Sequence, residues 1–236
     1  MIYMGSKNRI AKEILEIMLD GIGDNYFIDA FCGGGNLVQH ADCKNKIASD
    51  INPYTIAFLN KIQEDTNWIP KNEQEFSKED YMYMKNNKGE FSDFMLGHVG
   101  YNLSFGGKWF GGWCQNANRK DYVKAGYEHA LRQAEKIKDV KFLNVSYDQL
   151  LNIPSGSVVY CDIPYRNTTK YDAVSKSFDY DKFYDWCRNL KKNDIKVYVS
   201  EYSMPEDFKC VWQKEISMKL DAKSNSGKAI EKLFTL

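Results

Sequence analysis

The sequence predicts an α/β fold in which parallel strands alternate with helices. Short apolar runs typical of strands alternate with helical periodicity both before residue 66 and after residue 140. Three consecutive glycines follow the first apolar run, as at a turn that lets a ligand approach the backbone. Residues 66–140 differ in character, so we interpret them as an insertion into one α/β domain formed by residues 1–65 and 141–236.

Residue spacing predicts the elements of the first half. Apolar residues recur at steps of three and four from Ile10 to Met18, which predicts a helix that is ended by two nearby glycines. The predicted strands cover residues 26–31 and 46–50, and the helices after them cover residues 36–41 and 53–63. Pro53 suits the first turn of the second of these helices, where its missing N–H costs no hydrogen bond.

The insertion and the second half are predicted in the same way. Residues 99–118 are dense in glycine, aromatic and asparagine residues, with predicted helices at 73–84 and 121–138 on either side. Alternation then resumes, with strands predicted at 141–145, 158–162 and 196–200 and a helix at 180–190. Residues 210–216 and 229–236 are predicted to be late strands that pair as an antiparallel hairpin.

Composition narrows the class of protein. A hydrophobic content of 43% with 27% charged residues is typical of a globular chain. No apolar run approaches the ~20 residues of a membrane span, and the start lacks the apolar segment of a signal peptide. We therefore expect a cytoplasmic protein with no membrane partner. The six cysteines form no CxxC pair, so we expect free thiols and no metal site.

The net charge by itself does not indicate a nucleic-acid partner, because basic and acidic residues balance at 32 each. Residues 108–141 nevertheless carry eight basic residues against four acidic ones. Such a local excess is compatible with phosphate contact and equally with a solvated helix face.

The tetrapeptide Asp162-Ile163-Pro164-Tyr165 follows an apolar run at the predicted end of a strand. Its carboxylate can accept a hydrogen bond from an amino group, and its tyrosine ring can stack on a flat base. The proline has no N–H to donate, which leaves neighbouring carbonyls free to face a ligand. The pattern indicates a site that holds an exocyclic amine of an aromatic ring.

The glycine turn indicates a cofactor that contains adenosine. Gly33 to Gly35 follow a predicted strand, and Asp50 lies 21 residues beyond Asp29, near the spacing at which an acidic residue binds ribose hydroxyls. Neither GxGxxG nor the Lys-Ser/Thr of a phosphate-binding loop is present. The alternative interpretation is a simple tight turn, with Asp50 as a helix cap.

The N-terminal Tyr3-Met4-Gly5-Ser6-Lys7 places an aromatic ring and a cation on either side of a turn of small residues. Lys7 can neutralise a cofactor carboxylate and Tyr3 can pack on the cofactor. The alternative interpretation is a disordered chain start.

These motifs occur in one order, namely Tyr3 to Lys7, then Asp29 to Gly35, then Ser49 to Asn52, and finally Asp162 to Tyr165. In that order the chain resembles the Dam-type adenine-specific DNA methyltransferases. Residues 200–205 and 231–234 also resemble phage-type members of that group. The resemblance implies a Rossmann-like S-adenosylmethionine-dependent methyltransferase sheet with an inserted target-recognition subdomain at 66–140, S-adenosylmethionine as cofactor and double-stranded DNA as partner.

The resemblance also implies roles for the cofactor residues. Tyr3 and Lys7 would contact S-adenosylmethionine, with Lys7 near its carboxylate. The remaining cofactor contacts that it implies are the turn residues Phe31, Gly33 and Gly35, the ribose ligand Asp50, its neighbour Ile51, and Asp162. In the family an acidic residue just after a strand usually contacts the cofactor adenine. The corresponding region here is Ser146-Tyr147-Asp148, and either Ser146 or Asp148 can take that role.

At the acceptor side, the resemblance implies that Asp162 accepts a hydrogen bond from the target N6 amine. The Pro164 region would offer the same amine a carbonyl, and Tyr165 would stack on the flipped base. Ile163 departs from the commoner proline and is tolerated in the family.

Residues of the insertion are candidates for DNA contact. Asn102 and the segment 105–109, which includes Lys108, can close the pocket or contact DNA; Arg119, Lys120 and Lys124 are candidates for phosphate contact. The aromatic residues Trp109 and Trp113 equally suit a small satellite core that holds the insertion together.

Other functions compete with adenine methylation. Cytosine N4 presents a similar conjugated amine, and RNA or a protein glutamine amide would be more distant substrates of the same chemistry. A catalytically silent DNA-binding protein can keep the fold, and a nicotinamide-dependent oxidoreductase uses a similar sheet. The missing GxGxxG argues against the last. The target sequence and any restriction endonuclease partner cannot be read from the chain.

Overall fold

The structure, a computed structural model, describes residues 1–114, 120–166, 178–218 and 227–236. The strands in chain order are β1 (Tyr26–Asp29), β2 (Asn45–Ser49), β3 (Val140–Leu143), β4 (Val158–Asp162), β5 (Lys196–Ser200), β6 (Lys209–Met218) and β7 (Gly227–Thr235). The α-helices among the described residues are α1 (Ala11–Met18), α2 (Pro53–Glu64), α3 (Lys78–Asn86), α4 (Asp93–Gly97), α5 (Tyr122–Lys136) and α6 (Tyr180–Lys192).

The seven strands form one sheet in the order β3-β2-β1-β4-β5-β7-β6. Strands β1 to β5 are parallel, and β7 runs antiparallel between β5 and β6. The strand order reverses between β1 and β4, and in such sheets ligands bind outside the carboxyl ends of the strands at the point of reversal. The predicted α/β class and the late antiparallel hairpin are both confirmed.

Adjacent strand residues enter opposite faces of the sheet. Phe27 and Val158 belong to one core cluster, whereas the next residues, Ile28 and Val159, belong to a second cluster on the other face. Helix α1 covers the first face, because its buried residues, which recur at helical spacing, all belong to the first core cluster. Helix α6 covers the second face with Phe183 and neighbouring apolar residues. Two covered faces explain why the central strands read as continuous apolar runs.

The stretch between α2 and β3 has a core of its own only in part. A third cluster joins α3 to the glycine-rich segment through fully buried side chains such as Tyr81 and Leu103. Helix α5, in contrast, buries Ala130 and Ala134 in the first core cluster and leads directly into β3. The last helix of the predicted insertion therefore packs as a normal crossover helix of the sheet. The boundaries 66–140 as a target-recognition region stay a prediction.

Two predicted helices differ from the observed ones. The segment 36–41 contains only a single 3₁₀ turn, Val38–His40. Helix α3 begins at Lys78 and not at residue 73, because Ser77 caps it. The Ser77 side chain accepts from the Asp80 N–H at 3.2 Å, and the Asp80 carboxylate accepts from the Ser77 N–H at 2.8 Å. Within the described residues, we find no helix with the length and apolar character needed to cross a membrane.

Candidate active site

The glycine turn and the tetrapeptide meet at the carboxyl edge of the sheet. Strands β1 and β4 are neighbours, with Asp29 opposite Tyr160. The turn at Gly33 and the carboxylate of Asp162 therefore both emerge where the strand order reverses. The sequence separates these motifs by more than a hundred residues, and strand pairing brings them together.

Glycine is required in the turn for two reasons. Gly33 has φ 48° and Gly35 has φ 67°, in the left-handed region that side chains disfavour. A Cβ atom on Gly33 would also lie 2.7 Å from Cε1 of Tyr3, so the Tyr3 ring packs directly on the turn. The N-terminal segment is ordered against the glycine turn, and the alternative of a disordered start is wrong.

Asp50 is held at the turn with capacity to bind a further donor. One of its oxygens accepts the Gly33 N–H at 2.8 Å, and the other accepts the Asn52 N–H at 2.9 Å. Burial raises the pKa of this carboxyl, although the backbone N–H groups of Asn52 and Gly33 oppose the rise. A carboxylate has about four lone-pair sites, so ribose hydroxyls fit here as additional partners. The adjacent side chain of Ile51 is half exposed beside it.

Buried amides fix the approach of the N-terminal segment. The Asn102 side chain accepts the Ile2 N–H at 2.7 Å and also contacts the His98 ring. Gln133 on α5 donates to the carbonyl oxygen of Gly34 at 2.8 Å. Asn102 is 1% exposed. Its predicted role as a DNA contact is therefore wrong, because its polar atoms are used inside the protein.

Lys7 binds the tetrapeptide carboxylate. Its Nζ lies 2.9 Å from Oδ1 of Asp162 and 3.8 Å from Oε2 of Glu231. Burial opposes the charge of Lys7, but the attraction of Asp162 and Glu231 outweighs it and raises the Lys7 pKa. Burial likewise raises the pKa of Asp162, because one cation does not fully offset desolvation and the repulsion of Glu231 and Glu201. The direct partners of Lys7 are thus Asp162 and Glu231, and its predicted contact with a cofactor carboxylate stays a prediction.

The rest of the tetrapeptide divides between the site and the core. Tyr165 donates its hydroxyl hydrogen to Glu231 at 2.6 Å, and its ring meets the Tyr202 ring edge-on at 4.6 Å between centroids. Ile163 is 2% exposed and packs in the second core cluster. Its side chain is structural, so listing it as a catalytic residue is wrong, and this placement explains why an apolar residue other than proline fits.

The carbonyl oxygen of Pro164 already has a donor. The hydroxyl of Tyr180, the first residue of α6, donates to it at 2.7 Å. A carbonyl oxygen has two lone pairs, so this bond leaves room for a second donor. The predicted contact between this region and the target amine stays a prediction.

Three acidic residues without a predicted role in catalysis lie at this edge. Glu231 on β7 contacts Lys7 and Tyr165 as described. Glu201 follows β5 and accepts the N–H groups of Arg166 and Tyr202, which joins the loops after β4 and β5. Asp29 has a buried oxygen without a partner among the described residues. Its pKa is raised well above the usual value by burial, with repulsion from Asp162 and Asp50 adding to the effect.

An available sequence signal for Glu201 and Glu231 was their position in or directly after otherwise apolar strands. Buried carboxylates are rare unless they have partners. Strand order was also needed, because it brings β5 and β7 next to β4.

Phe31, two residues before the glycine turn, stacks on Tyr147 with ring centroids 5.4 Å apart.

Asp148 is one of the two residues predicted to contact the cofactor adenine. It is ion-paired with Lys182 at 2.5 Å, and this bond lowers the pKa of Asp148. The choice between Ser146 and Asp148 stays a prediction.

The predicted phosphate contacts lie on the insertion side. Lys108, Lys120 and Lys124 are exposed, and Arg119 lies outside the described residues. The ring of Trp109 stacks on Tyr54 at 4.5 Å, and Trp113 packs edge-on against Tyr81 at 5.5 Å. The satellite-core interpretation of the two tryptophans is thereby confirmed, while the lysines stay predictions.

Comparisons with known proteins give solved structures of low sequence identity and one family match. No curated protein shows significant sequence similarity to it. Among solved structures, the rRNA methyltransferase aviRa from Streptomyces viridochromogenes is 14% identical, with a TM-score of 0.48, and the match covers 99% of this chain and 86% of that one. The "putative methyltransferase yhhF" from Escherichia coli is 11% identical, with a TM-score of 0.42 and coverage of 99% and 87%.

The family comparison is decisive. The model of the D12 class N6 adenine-specific DNA methyltransferases matches residues 3–225, which include the N-terminal motif, the glycine turn and the tetrapeptide. With its sheet of seven strands and these motifs at one edge, the chain is a methyltransferase that belongs to the D12 class N6 adenine-specific DNA methyltransferase family.

Proposed function

We propose that the chain transfers a methyl group from S-adenosylmethionine to the N6 amino group of an adenine that is extruded from double-stranded DNA. The observation that carries the proposal is the position of Asp162. Its carboxylate lies at the carboxyl end of β4, beside the glycine turn and the Tyr165 ring, in a chain of the matching family.

The residues at the turn fit the cofactor. The glycines present a backbone without side chains, and Asp50 keeps lone pairs for ribose hydroxyls. The Tyr3 ring packs on Gly33, and the Phe31 ring stacks on Tyr147 just before the turn; these two rings are the proposed contacts of the adenosine group. S-adenosylmethionine supplies a methyl group that is activated by the positive charge of its sulfur.

Asp162 acts on the acceptor. The lone pair of adenine N6 is delocalised into the ring, which makes the amine a weak nucleophile. A hydrogen bond from N6–H to the carboxylate favours a pyramidal nitrogen and stabilises the positive charge that develops on it. Lys7, at 2.9 Å, helps keep Asp162 ionised despite its burial. The rate enhancement arises from positioning and electrostatics, without a covalent enzyme intermediate.

The target base has to leave the duplex, because N6 is not accessible inside the stack. Extrusion costs a few kcal/mol, of which aromatic stacking returns a part. Tyr165 is the proposed stacking platform, and its ring is held by Glu231 and Tyr202. Lys108, Lys120 and Lys124 are proposed to bind phosphates at the insertion.

The direct test is methylation of DNA in a host that expresses the protein, followed by single-molecule sequencing. We expect N6-methyladenine in one sequence context and none with Asp162→Ala. Methylation at cytosine N4 would replace the proposed acceptor with the alternative amine. Binding of DNA without any methyl transfer would favour the silent DNA-binding protein.

A further inference from the structure

Glu231 reaches the active site from the antiparallel strand β7. Ser200, at the end of β5, pairs with Asp162 on one side and with Leu233 on the other. Because β7 runs antiparallel to β5, Glu231 lies two residues farther toward the carboxyl edge, about 7 Å beyond Leu233 at strand spacing. The strand thus carries a side chain past the sheet and over the tetrapeptide.

Glu231 contacts two residues that surround Asp162, namely Tyr165 and Lys7. Its Oε2 accepts the Tyr165 hydroxyl at 2.6 Å and lies 3.8 Å from Nζ of Lys7. The same ammonium lies 2.9 Å from Asp162 and 4.8 Å from the centre of the Tyr165 ring. The Glu231 side chain is 9% exposed. A carboxylate at such a depth costs free energy unless it is paired, and an apolar residue would serve the core better.

Two carboxylates thus share one cation, and this arrangement has a consequence for Asp162. In the structure the ammonium of Lys7 is paired with Oδ1 of Asp162. A target amine that donates to the same oxygen would have to compete with this ion pair. When Asp162 accepts the amine, Lys7 requires another anion nearby, and Glu231 is already within reach. The same carboxylate fixes the hydroxyl end of Tyr165, so both functions meet in one residue.

We propose that Glu231 is a positioning residue: it holds the Tyr165 ring and takes over the charge of Lys7 when Asp162 engages the target amine. This inference rests on the proposed function. Two variants separate the two tasks, since Glu231→Gln keeps an acceptor for Tyr165 but removes the charge, and Glu231→Ala removes both.

The test compares kcat, KM and S-adenosylmethionine binding between the wild-type full chain and its variants. The substrate is unmethylated DNA that carries the target sequence identified by single-molecule sequencing. We expect Glu231→Ala to lower kcat about 100-fold and Glu231→Gln about 10-fold, because small misplacement of catalytic groups costs that much. Cofactor affinity, measured by calorimetry, should change less than about threefold. Glu215→Gln, an exposed glutamate on the neighbouring strand β6, is the matched control with a wild-type kcat.

A double-mutant cycle with Tyr165→Phe tests the contact itself. In the Tyr165→Phe protein, Glu231→Ala should cost at least about fivefold less in kcat than in the wild type, since residues in contact couple by about 1 kcal/mol or more. A wild-type kcat for Glu231→Ala, or additive effects in the cycle, would overturn the proposal. If the alanine protein does not fold, a wild-type kcat for the isosteric Glu231→Gln overturns it instead.

The cycle is also measured in the free energy of unfolding by urea, which requires no activity. A wild-type protein that methylates no adenine in DNA contradicts the proposed function alone. Coupling of Glu231 and Tyr165 in unfolding then still decides whether Glu231 holds the ring, and a coupling of zero overturns the inference independently.

Discussion

At the scale of single residues, the site depends on charges that burial makes expensive. Lys7, Asp162 and Glu231 come from the N-terminal segment, β4 and β7 and form one ion cluster. Desolvation raises the pKa of Asp162, and Lys7 limits the rise. The methyl-transfer chemistry is therefore sensitive to substitutions that change one charge of the cluster.

Asp162→Ala is expected to remove methyl transfer, with kcat lower by a factor of about 10²–10³ or more, as for other preorganised electrostatic partners. Calorimetry should still detect S-adenosylmethionine binding, because the glycine turn is unchanged. Exposed Asp42→Ala serves as the control and should keep the wild-type kcat. Methyl incorporation at the wild-type rate by Asp162→Ala would contradict the mechanism.

The pH dependence of kcat follows from the ionisation of Asp162. Its pKa in the folded protein is raised, so the rate should fall as the pH drops through a value above the ~3.9 of free aspartate. Lys7→Met removes the opposing cation and should move this acid limb to higher pH. A limb that stays in place in the variant would show that Lys7 does not control the carboxylate.

Stability responds to Asp162 in the opposite direction from activity. A folded-state pKa above the unfolded value means that the group favours folding at low pH, and this contribution is lost as the pH rises through the folded-state pKa. Acidification should therefore reduce activity through protonation of Asp162 without that protonation destabilising the fold, which circular dichroism across the same pH range checks.

Gly33→Ala tests the turn against a matched glycine. Gly23 has φ 56° and open space around its Cβ position, whereas Gly33 has φ 48° and a ring 2.7 Å away. Gly23→Ala should cost only the ~1–2 kcal/mol of the left-handed conformation. Gly33→Ala should cost more in urea unfolding and should also weaken S-adenosylmethionine binding. Equal effects of the two substitutions would contradict the role of the Tyr3 contact.

At the scale of elements, the glycine-rich segment is fixed by α3. The fully buried Tyr81 hydroxyl lies 2.8 Å from the Ser104 hydroxyl and accepts the Gly112 N–H at 3.2 Å. Helix α5 instead belongs to the main core. Damage to the α3 contact should thus affect the insertion and leave the glycine turn intact.

Tyr81→Phe is expected to lower the free energy of unfolding by about 1–3 kcal/mol, because buried polar partners lose their bond. DNA affinity should fall with little change in cofactor affinity. Tyr83→Phe on the same helix is the control, since that residue is half exposed and bonds Glu90 at the surface. Fluorescence anisotropy with labelled DNA measures the difference, and equal DNA affinities of both variants would contradict the link.

At the scale of the whole molecule, a chain with no net charge that acts on DNA as proposed would bind it through a local basic surface. If Lys120 and Lys124 each contact a phosphate, each alanine variant should reduce the slope of log K against log salt by about 0.9. Lys44 is the control: it lies directly before β2, at the end of the sheet opposite to the carboxyl edge, and pairs with Asp24. Lys44→Ala should leave the slope unchanged, and an unchanged slope in the other two variants would exclude them as phosphate contacts.

Prediction from the sequence succeeded where a local pattern is sufficient. The strands from β1 to β5 and the late hairpin were predicted within a few residues, because apolar runs and turn residues act over short distances. The predicted DNA contact of Asn102 was wrong, because its side chain is buried and accepts the Ile2 N–H; its other predicted role, in closing the pocket, stays a prediction.

The sequence by itself determined the fold class and the order of the motifs, because apolar runs, turn residues and the tetrapeptide are local patterns. Only the tertiary structure decided which groups surround Asp162, because strand order and register place Lys7 and Glu231 against it from distant parts of the chain. It also decided that Ile163 is a core residue, since side chains of an extended segment alternate between faces and only packing shows which face is buried.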